Sequence, residues 1–236
     1  MGYEYIAPAW RAFYEKKAVT QTFLPSADPA ERHRVRMVRR ILGAVPASVL
    51  DVGCADGYLC HVLRDRVKVP KVMGVDVASA HVDRARDRFP GIPFFRGDAR
   101  HLPFPDASFE LVTAVEVLEH LEDPAAALRE LARVAARRVI VTVPFNEKPD
   151  QRLCPHCLRT FALDGHIQRF DRSRLETLAV EAGLAVTRVQ VYRPWEHRDL
   201  VRKLYAPIKR VLFPQEFASG GWLAIVAAKR AAGGRR

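Results

Sequence analysis

The chain has 236 residues, 49 % of them hydrophobic, which suffices for one sizeable domain and excludes global disorder. Its 38 lysines and arginines outnumber 27 acids, for a net charge of +11. That balance favours an anionic partner such as nucleic acid, a phosphorylated metabolite or an acidic membrane surface, but arginine is spread so widely that composition alone explains much of the excess. No apolar run is long enough to span a bilayer, and the N-terminus reads neither as a signal peptide nor as a myristoylation signal. With no export signal, the four cysteines Cys54, Cys60, Cys154 and Cys157 are expected as reduced thiols in the cytoplasm.

Residues 1–47 read as a helical lead-in. "PAERHRVRMVRRIL" starts a helix after Asp28, with Val35, Val38 and Leu42 as its apolar stripe and Arg32, Arg36, Arg39 and Arg40 as a basic, solvated face. From 48 to 230 strand and helix signals alternate. Strands are expected at 48–52, 71–76, 92–98, 109–115, 138–144, 184–192 and 221–229, and helices at 57–67, 79–88, 123–135 and 171–182. Continuous β-branched runs between helices predict an α/β fold whose parallel sheet is covered on both faces. Two segments interrupt the rhythm: a loop-rich stretch at 145–170 and a basic insertion at 193–220, with 231–236 as a flexible tail.

"VLDVGCADG" is the most informative stretch. A strand ends at Asp51, a glycine turn follows, and a helix starts at Gly57, so a ligand can approach the backbone and a helix N-terminus. A second strand ends in Asp76, where an acid can accept bonds from ribose hydroxyls. Gly53 and Gly57 do not complete a dinucleotide fingerprint. Asp51 at the turn would repel a pyrophosphate but suits a ligand carrying an ammonium and a sulfonium, namely S-adenosylmethionine (SAM).

From about residue 35 onward the sequence resembles the class I SAM-dependent methyltransferases. The resemblance implies a Rossmann-like, seven-stranded, mostly parallel sheet with its last strand antiparallel. "VLDVGCADG" resembles the family's glycine loop, with Ala55 where many members have glycine. It implies that Asp51, Gly53, Cys54, Ala55 and Gly57 meet the methionine end of SAM. "GVDVA" resembles the ribose-binding strand, with Asp76 and Val77, and "GDARHLPFPDASFELV" the adenine segment, with Asp98 and Ala99.

"EVLEHL" places Glu116, Glu119 and His120 at i, i+3 and i+4, a spacing that shares one face of a helical turn. Paired carboxylates beside an imidazole suit a divalent ion such as Mg²⁺, Mn²⁺ or Zn²⁺, which could lower the pKa of an acceptor hydroxyl. The element is similar to the E-x-x-E-H of ubiquinone-pathway O-methyltransferases and of small-RNA 2′-O-methyltransferases. The latter resemblance implies His166 as a further metal ligand. Without a metal, His120, aided by Glu119, is the expected catalytic base, and Glu116 lines the SAM site. "CPHC" has the spacing of half a zinc knuckle through Cys154 and Cys157, which His156, Asp164 or His166 could complete.

The insertion carries an apolar stripe and a basic face over 197–212, suited to an anionic membrane surface, a lid or nucleic acid, or to plain packing. The expected activity is O-methylation of a small, glycosylated or lipid-linked acceptor. RNA 2′-O-methylation is the alternative enzyme, and a non-catalytic SAM- or zinc-binding regulator the alternative class.

Overall fold

A computed structural model of the chain describes residues 7–20, 29–148, 151–153, 155, 158, 160–162, 164–192 and 221–229. The insertion at 193–220, the 231–236 tail, and Cys154, His156 and Cys157 lie outside the described residues. Helices α1 (Ala7–Thr20) and α2 (Pro29–Ile41) precede strand β1 (Ser48–Val52). Next come α3 (Tyr58–His61), β2 (Lys71–Asp76), α4 (Ser79–Arg88), β3 (Phe94–Arg96) and β4 (Phe109–Val115). They are followed by α5 (Pro124–Val134), β5 (Ala135–Pro144), the short β6 (Gln151–Leu153) and β7 (Thr160–Ala162), α6 (Arg172–Glu181), β8 (Leu184–Tyr192) and β9 (Trp222–Lys229).

Seven strands form one sheet in the order β3-β2-β1-β4-β5-β9-β8. The pairs β1–β2, β2–β3, β1–β4 and β4–β5 are parallel, whereas β9 runs antiparallel to both β5 and β8. The expected Rossmann-like topology, with its last strand antiparallel, is therefore the observed one.

The alternation of side chains along each strand explains the layers. Leu50, Val112, Val139 and Val141 face one side and pack with Leu128 and Leu131 of α5 and Leu175 of α6. Val49, Leu111 and Ile140 face the other side, against Val38 of α2, Leu59 of α3 and Val82 of α4. The α2 stripe of Val35, Val38 and Leu42 is buried, and Arg32, Arg36, Arg39 and Arg40 are exposed.

β5 begins three residues before the expected 138 and β3 is shorter than 92–98, and two further elements differ in kind. The helix expected over 57–67 is α-helical only to His61 and continues as a π-helical turn, Val62–Arg66. The loop-rich segment contains two short strands, β6 and β7, paired antiparallel. The sheet order reverses direction between β1 and β4, which opens a crevice at their carboxyl ends.

Candidate functional site at the carboxyl ends of β1, β2 and β4

Asp51 is 2 % exposed, and Thr113 on the neighbouring β4 donates a hydrogen bond of 2.7 Å to its Oδ1. Beyond β1 the chain stays tied to β2: the Gly53 and Cys54 N–H groups both donate to the Val75 carbonyl, at 2.7 and 3.0 Å. Ala55 follows at φ 45°, held by its N–H donating to Asp76 Oδ2 at 2.9 Å. The other Asp76 oxygen accepts from Ala78 N–H at 2.9 Å, so one carboxylate braces the loops after both β1 and β2. Asp56, buried beneath the loop, is clamped by Arg84 and Arg88 of α4.

Both glycines of the loop have structural reasons to be glycine. Gly53 sits at φ 74°, and a Cβ there would collide with Val117 Cγ2. At Gly57, φ 80°, a Cβ would lie 2.7 Å from Phe94 Cζ.

These loops border a cavity of about 500 Å³. Of the residues expected to meet SAM, Asp51, Gly53, Cys54 and Ala55 line it on the β1 side. Asp76, Val77, Ala99 and Glu116 line it from β2, β3 and β4. Gly57 does not; it packs under Phe94. Nor does Asp98, whose carboxylate is held by the Arg100 guanidinium at 3.0 and 2.8 Å, in a neighbouring shallow depression.

The Glu-Glu-His element is arranged differently from its expected helical face. Glu116 leaves β4 at φ 56°, with its N–H still bonded to the Thr142 carbonyl as an extension of the strand ladder. Only then does the chain turn, as a 3₁₀ segment Leu118–His120. The Glu116 carboxylate therefore accepts from Thr142 Oγ1 at 3.0 Å, while Glu119 and His120 lie on the turn. His166, distant in sequence, arrives because Ile167 and Gln168 donate their N–H groups to the Glu119 carbonyl, at 2.8 and 3.0 Å. The rings of His120 and His166 stand 4.8 Å apart.

Burial sets the electrostatics of this end. Glu119 is 0 % exposed, and neither of its carboxylate oxygens has a hydrogen-bond partner. Burial, reinforced by the charge of Glu116, pushes its pKa well above the carboxylate range. Glu116 itself is raised to about 7, chiefly by burial and against the pull of Arg34. Burial lowers His120 to about 3, so its imidazole is neutral at physiological pH. The Gly165 carbonyl, which can only accept, lies 3.0 Å from His120 Nδ1, and the Tyr14 hydroxyl 2.7 Å from the same atom itself donates to that carbonyl, so the tautomer with its proton on Nδ1 and its lone pair on Nε2 satisfies all three groups.

Among the described residues, Glu119, His120 and His166 are the group able to hold a metal ion, with one ligand atom from each within 4.8 Å of the others. Glu116, the fourth ligand expected from the sequence, is not in that group; its carboxylate accepts from Thr142 of β5.

The sequence reading missed several residues of the cavity wall. Tyr14 and Lys17 of α1 line it, with the Tyr14 hydroxyl 2.7 Å from His120 Nδ1 and Lys17 Nζ donating to the Asp164 carbonyl. Helix α1 has no apolar stripe to mark it, and its docking depends on Glu15 accepting from Ser79 N–H and Oγ–H. Arg34 also lines the cavity, hidden in sequence among the surface arginines of α2 but adjacent to the buried Val35. Glu147 accepts from His166 Nδ1–H at 2.6 Å.

Residues 50–142 match the family described as a methyltransferase domain. The span covers the glycine loop, Asp76, Asp98 and the Glu-Glu-His turn. This part of the chain belongs to the class I SAM-dependent methyltransferases. The chain is 35 % identical over 103 residues to a probable S-adenosylmethionine-dependent methyltransferase of Mycolicibacterium smegmatis, covering 44 % of this chain and 39 % of that one. It is 43 % identical over 94 residues to the malonyl-[acyl-carrier protein] O-methyltransferase of Halorhodospira halophila, covering 39 % of this chain and 32 % of that one. The matches thus span about half or less of the curated relatives' lengths. In fold, the chain is similar to the putative methyltransferase solved in complex with the Haloferax volcanii Trm112 activator, with TM-score 0.64, 19 % identity and 97 % of each chain covered.

Proposed function

We propose that the chain binds SAM in the 500 Å³ cavity and passes its methyl group to an oxygen of a small, glycosylated or lipid-linked acceptor. The observation that carries this reading is the shared wall: Asp51, Gly53 and Asp76 at one end, His120 at the other, all at the carboxyl ends of parallel strands. Asp51 and the Gly53 loop take the methionine ammonium, and Arg34, a cation on that wall, takes the methionine carboxylate. Asp76 takes the ribose hydroxyls. Ala99 lies against the adenine, with Asp98 at its edge.

Transfer forms an oxygen–carbon bond, breaks the sulfonium–carbon bond with its electrons left on a neutral thioether, and passes the acceptor's proton to solvent water. Holding both partners in line supplies much of the rate. His120, neutral and on the cavity wall, accepts a hydrogen bond from the acceptor hydroxyl at Nε2 and aims its oxygen. Oxygen as the acceptor atom is supported by that neutral imidazole and by the O-methyltransferase among the relatives.

The test is transfer of radiolabelled methyl from SAM into fractionated cell extract. The product is a base-stable ether or a base-labile ester if oxygen is methylated. Label recovered only on nitrogen or carbon would overturn the oxygen assignment. The exposed Arg32, Arg36, Arg39 and Arg40 of α2 favour one second reading, RNA 2′-O-methylation. Steeply salt-dependent RNA binding with label in ribose would establish it. SAM binding without turnover on any fraction would favour a regulator.

A further inference from the structure

Helix α1 brings two side chains of one face to the cavity wall, Tyr14 and Lys17, three residues apart. Tyr14 meets His120, which aims the acceptor hydroxyl in the methyl-transfer reading; the two rings stand 5.2 Å apart. Lys17 Nζ lies 5.8 Å from the centroid of that same tyrosine ring and 5.8 Å from that of Phe13. It donates to the Asp164 carbonyl at 3.1 Å, one residue before the Gly165 carbonyl that His120 faces. An ammonium is thereby held at the acceptor end of the cavity, near the group that orients the acceptor.

A lysine on a helix surface ordinarily turns its head to water. Here burial strips part of the hydration of the ammonium and lowers its pKa from 10.5. The Asp164 carboxylate pulls the other way, but that residue is exposed and water screens its charge. The remaining carboxyls of this end answer to other groups. Burial holds Glu119 in its protonated form, Glu116 accepts from Thr142, and Glu147 accepts from His166. Among the described residues, Lys17 and Arg34 are the lysine and the arginine of the wall, and Arg34 is assigned to the methionine carboxylate.

We propose that Lys17 selects the acceptor: beside the hydroxyl to be methylated, the substrate carries an anionic group, a carboxylate or a phosphate, that docks on the Lys17 ammonium. The proposal deepens the methyl-transfer reading and rests on it. His120 takes the hydroxyl and Lys17 the anion, and two fixed points orient the oxygen where one would let it swing. A charged hydrogen bond formed in a partly dehydrated cavity is stronger than its counterpart in water. The substrate class is therefore hydroxy acids and phosphorylated alcohols, and an acceptor with a cation in that position is repelled.

The test begins with methyl transfer from radiolabelled SAM into nuclease-treated cell extract, divided on an anion exchanger at pH 8 into retained and flow-through pools. Label is expected in the retained pool. Phosphatase treatment of that pool before the reaction names the anion: lost acceptor activity assigns a phosphate, and surviving activity a carboxylate. The retained acceptor is then assayed with wild type, Lys17→Gln and Lys17→Arg, each shown to be folded by thermal unfolding. Glutamine keeps a donor for the Asp164 carbonyl but loses the charge, whereas arginine keeps both. Lys17→Gln should raise the acceptor KM at least tenfold, the loss expected for one charged hydrogen bond, with kcat and calorimetric SAM affinity changed less than threefold. Lys17→Arg should recover most of that loss. Label in the flow-through pool alone, an unchanged KM in Lys17→Gln, an equal defect in Lys17→Arg, or a matching loss of SAM affinity would overturn the proposal and leave methyl transfer standing. SAM that binds but labels neither pool would remove the methyl-transfer reading, and this proposal with it.

Discussion

Glu116→Gln should stabilise the protein at pH 8 and leave it almost unchanged near pH 4.5. Burial raises the Glu116 pKa from the ordinary 4.5 to about 7. Below 4.5 the carboxyl is protonated in both folded and unfolded chains and contributes nothing. Between 4.5 and 7 the unfolded chain ionises while the folded one resists, so stability falls as pH rises; above 7 the loss is complete. At 1.36 kcal/mol per pH unit that loss is about 3 kcal/mol, and about 2 kcal/mol once partial hydration of the half-buried side chain is allowed for. Glutamine keeps an oxygen for the Thr142 hydroxyl but has nothing to ionise. Urea unfolding of wild type and variant at pH 4.5 and pH 8, with chelator present, reads the difference directly. A variant whose stability advantage is the same at both pH values would refute the reasoning, because burial of an ionisable carboxyl would then not be its cause.

Asp76→Asn turns one acceptor into a donor facing the Ala55 or Ala78 N–H, which costs about 1–3 kcal/mol. Thermal unfolding should show a fall of about 2–4 °C per kcal/mol. Gly53→Ala forces alanine to φ 74° against Val117, at about 1–2 kcal/mol for the backbone alone, and calorimetry should show weakened SAM binding. Tyr14→Phe keeps the edge-to-face ring contact with His120 but removes the 2.7 Å hydrogen bond. It should lower kcat about five- to tenfold, in line with the loss of roughly 1 kcal/mol, with SAM affinity unchanged. An effect confined to KM would contradict a positioning role for the hydroxyl.

The strands were legible wherever burial on both faces left a continuous β-branched run. β1, β2, β4 and β8 fall on the residues expected, and α4 spans Ser79–Arg88 as read. The glycine turn was equally legible, because Gly53 at positive φ is a demand of local backbone geometry, whereas the brace that Asp76 gives the Ala55 N–H is a tertiary contact that was not read. Tertiary contacts account for the misses. Periodicity placed Glu116, Glu119 and His120 on one helical face, but the β4–β5 ladder extends through the Glu116 N–H and delays the turn. Gly57 has the spacing of a ligand-binding glycine, yet the ring of Phe94 fills the space beside it. Tyr14, Lys17 and Glu147 reach the cavity or its histidines only through docking of α1 and of the 165–168 segment, which no local pattern encodes.

The central claim is that the cavity beside the β1 and β2 loops is a SAM site. Calorimetric titration of SAM into wild type and Asp76→Ala, with the variant's folding checked by circular dichroism, tests it most directly. The account predicts one SAM per wild-type chain and at least tenfold weaker binding to the variant. No binding to the wild type, or equal binding to a folded variant, would contradict it.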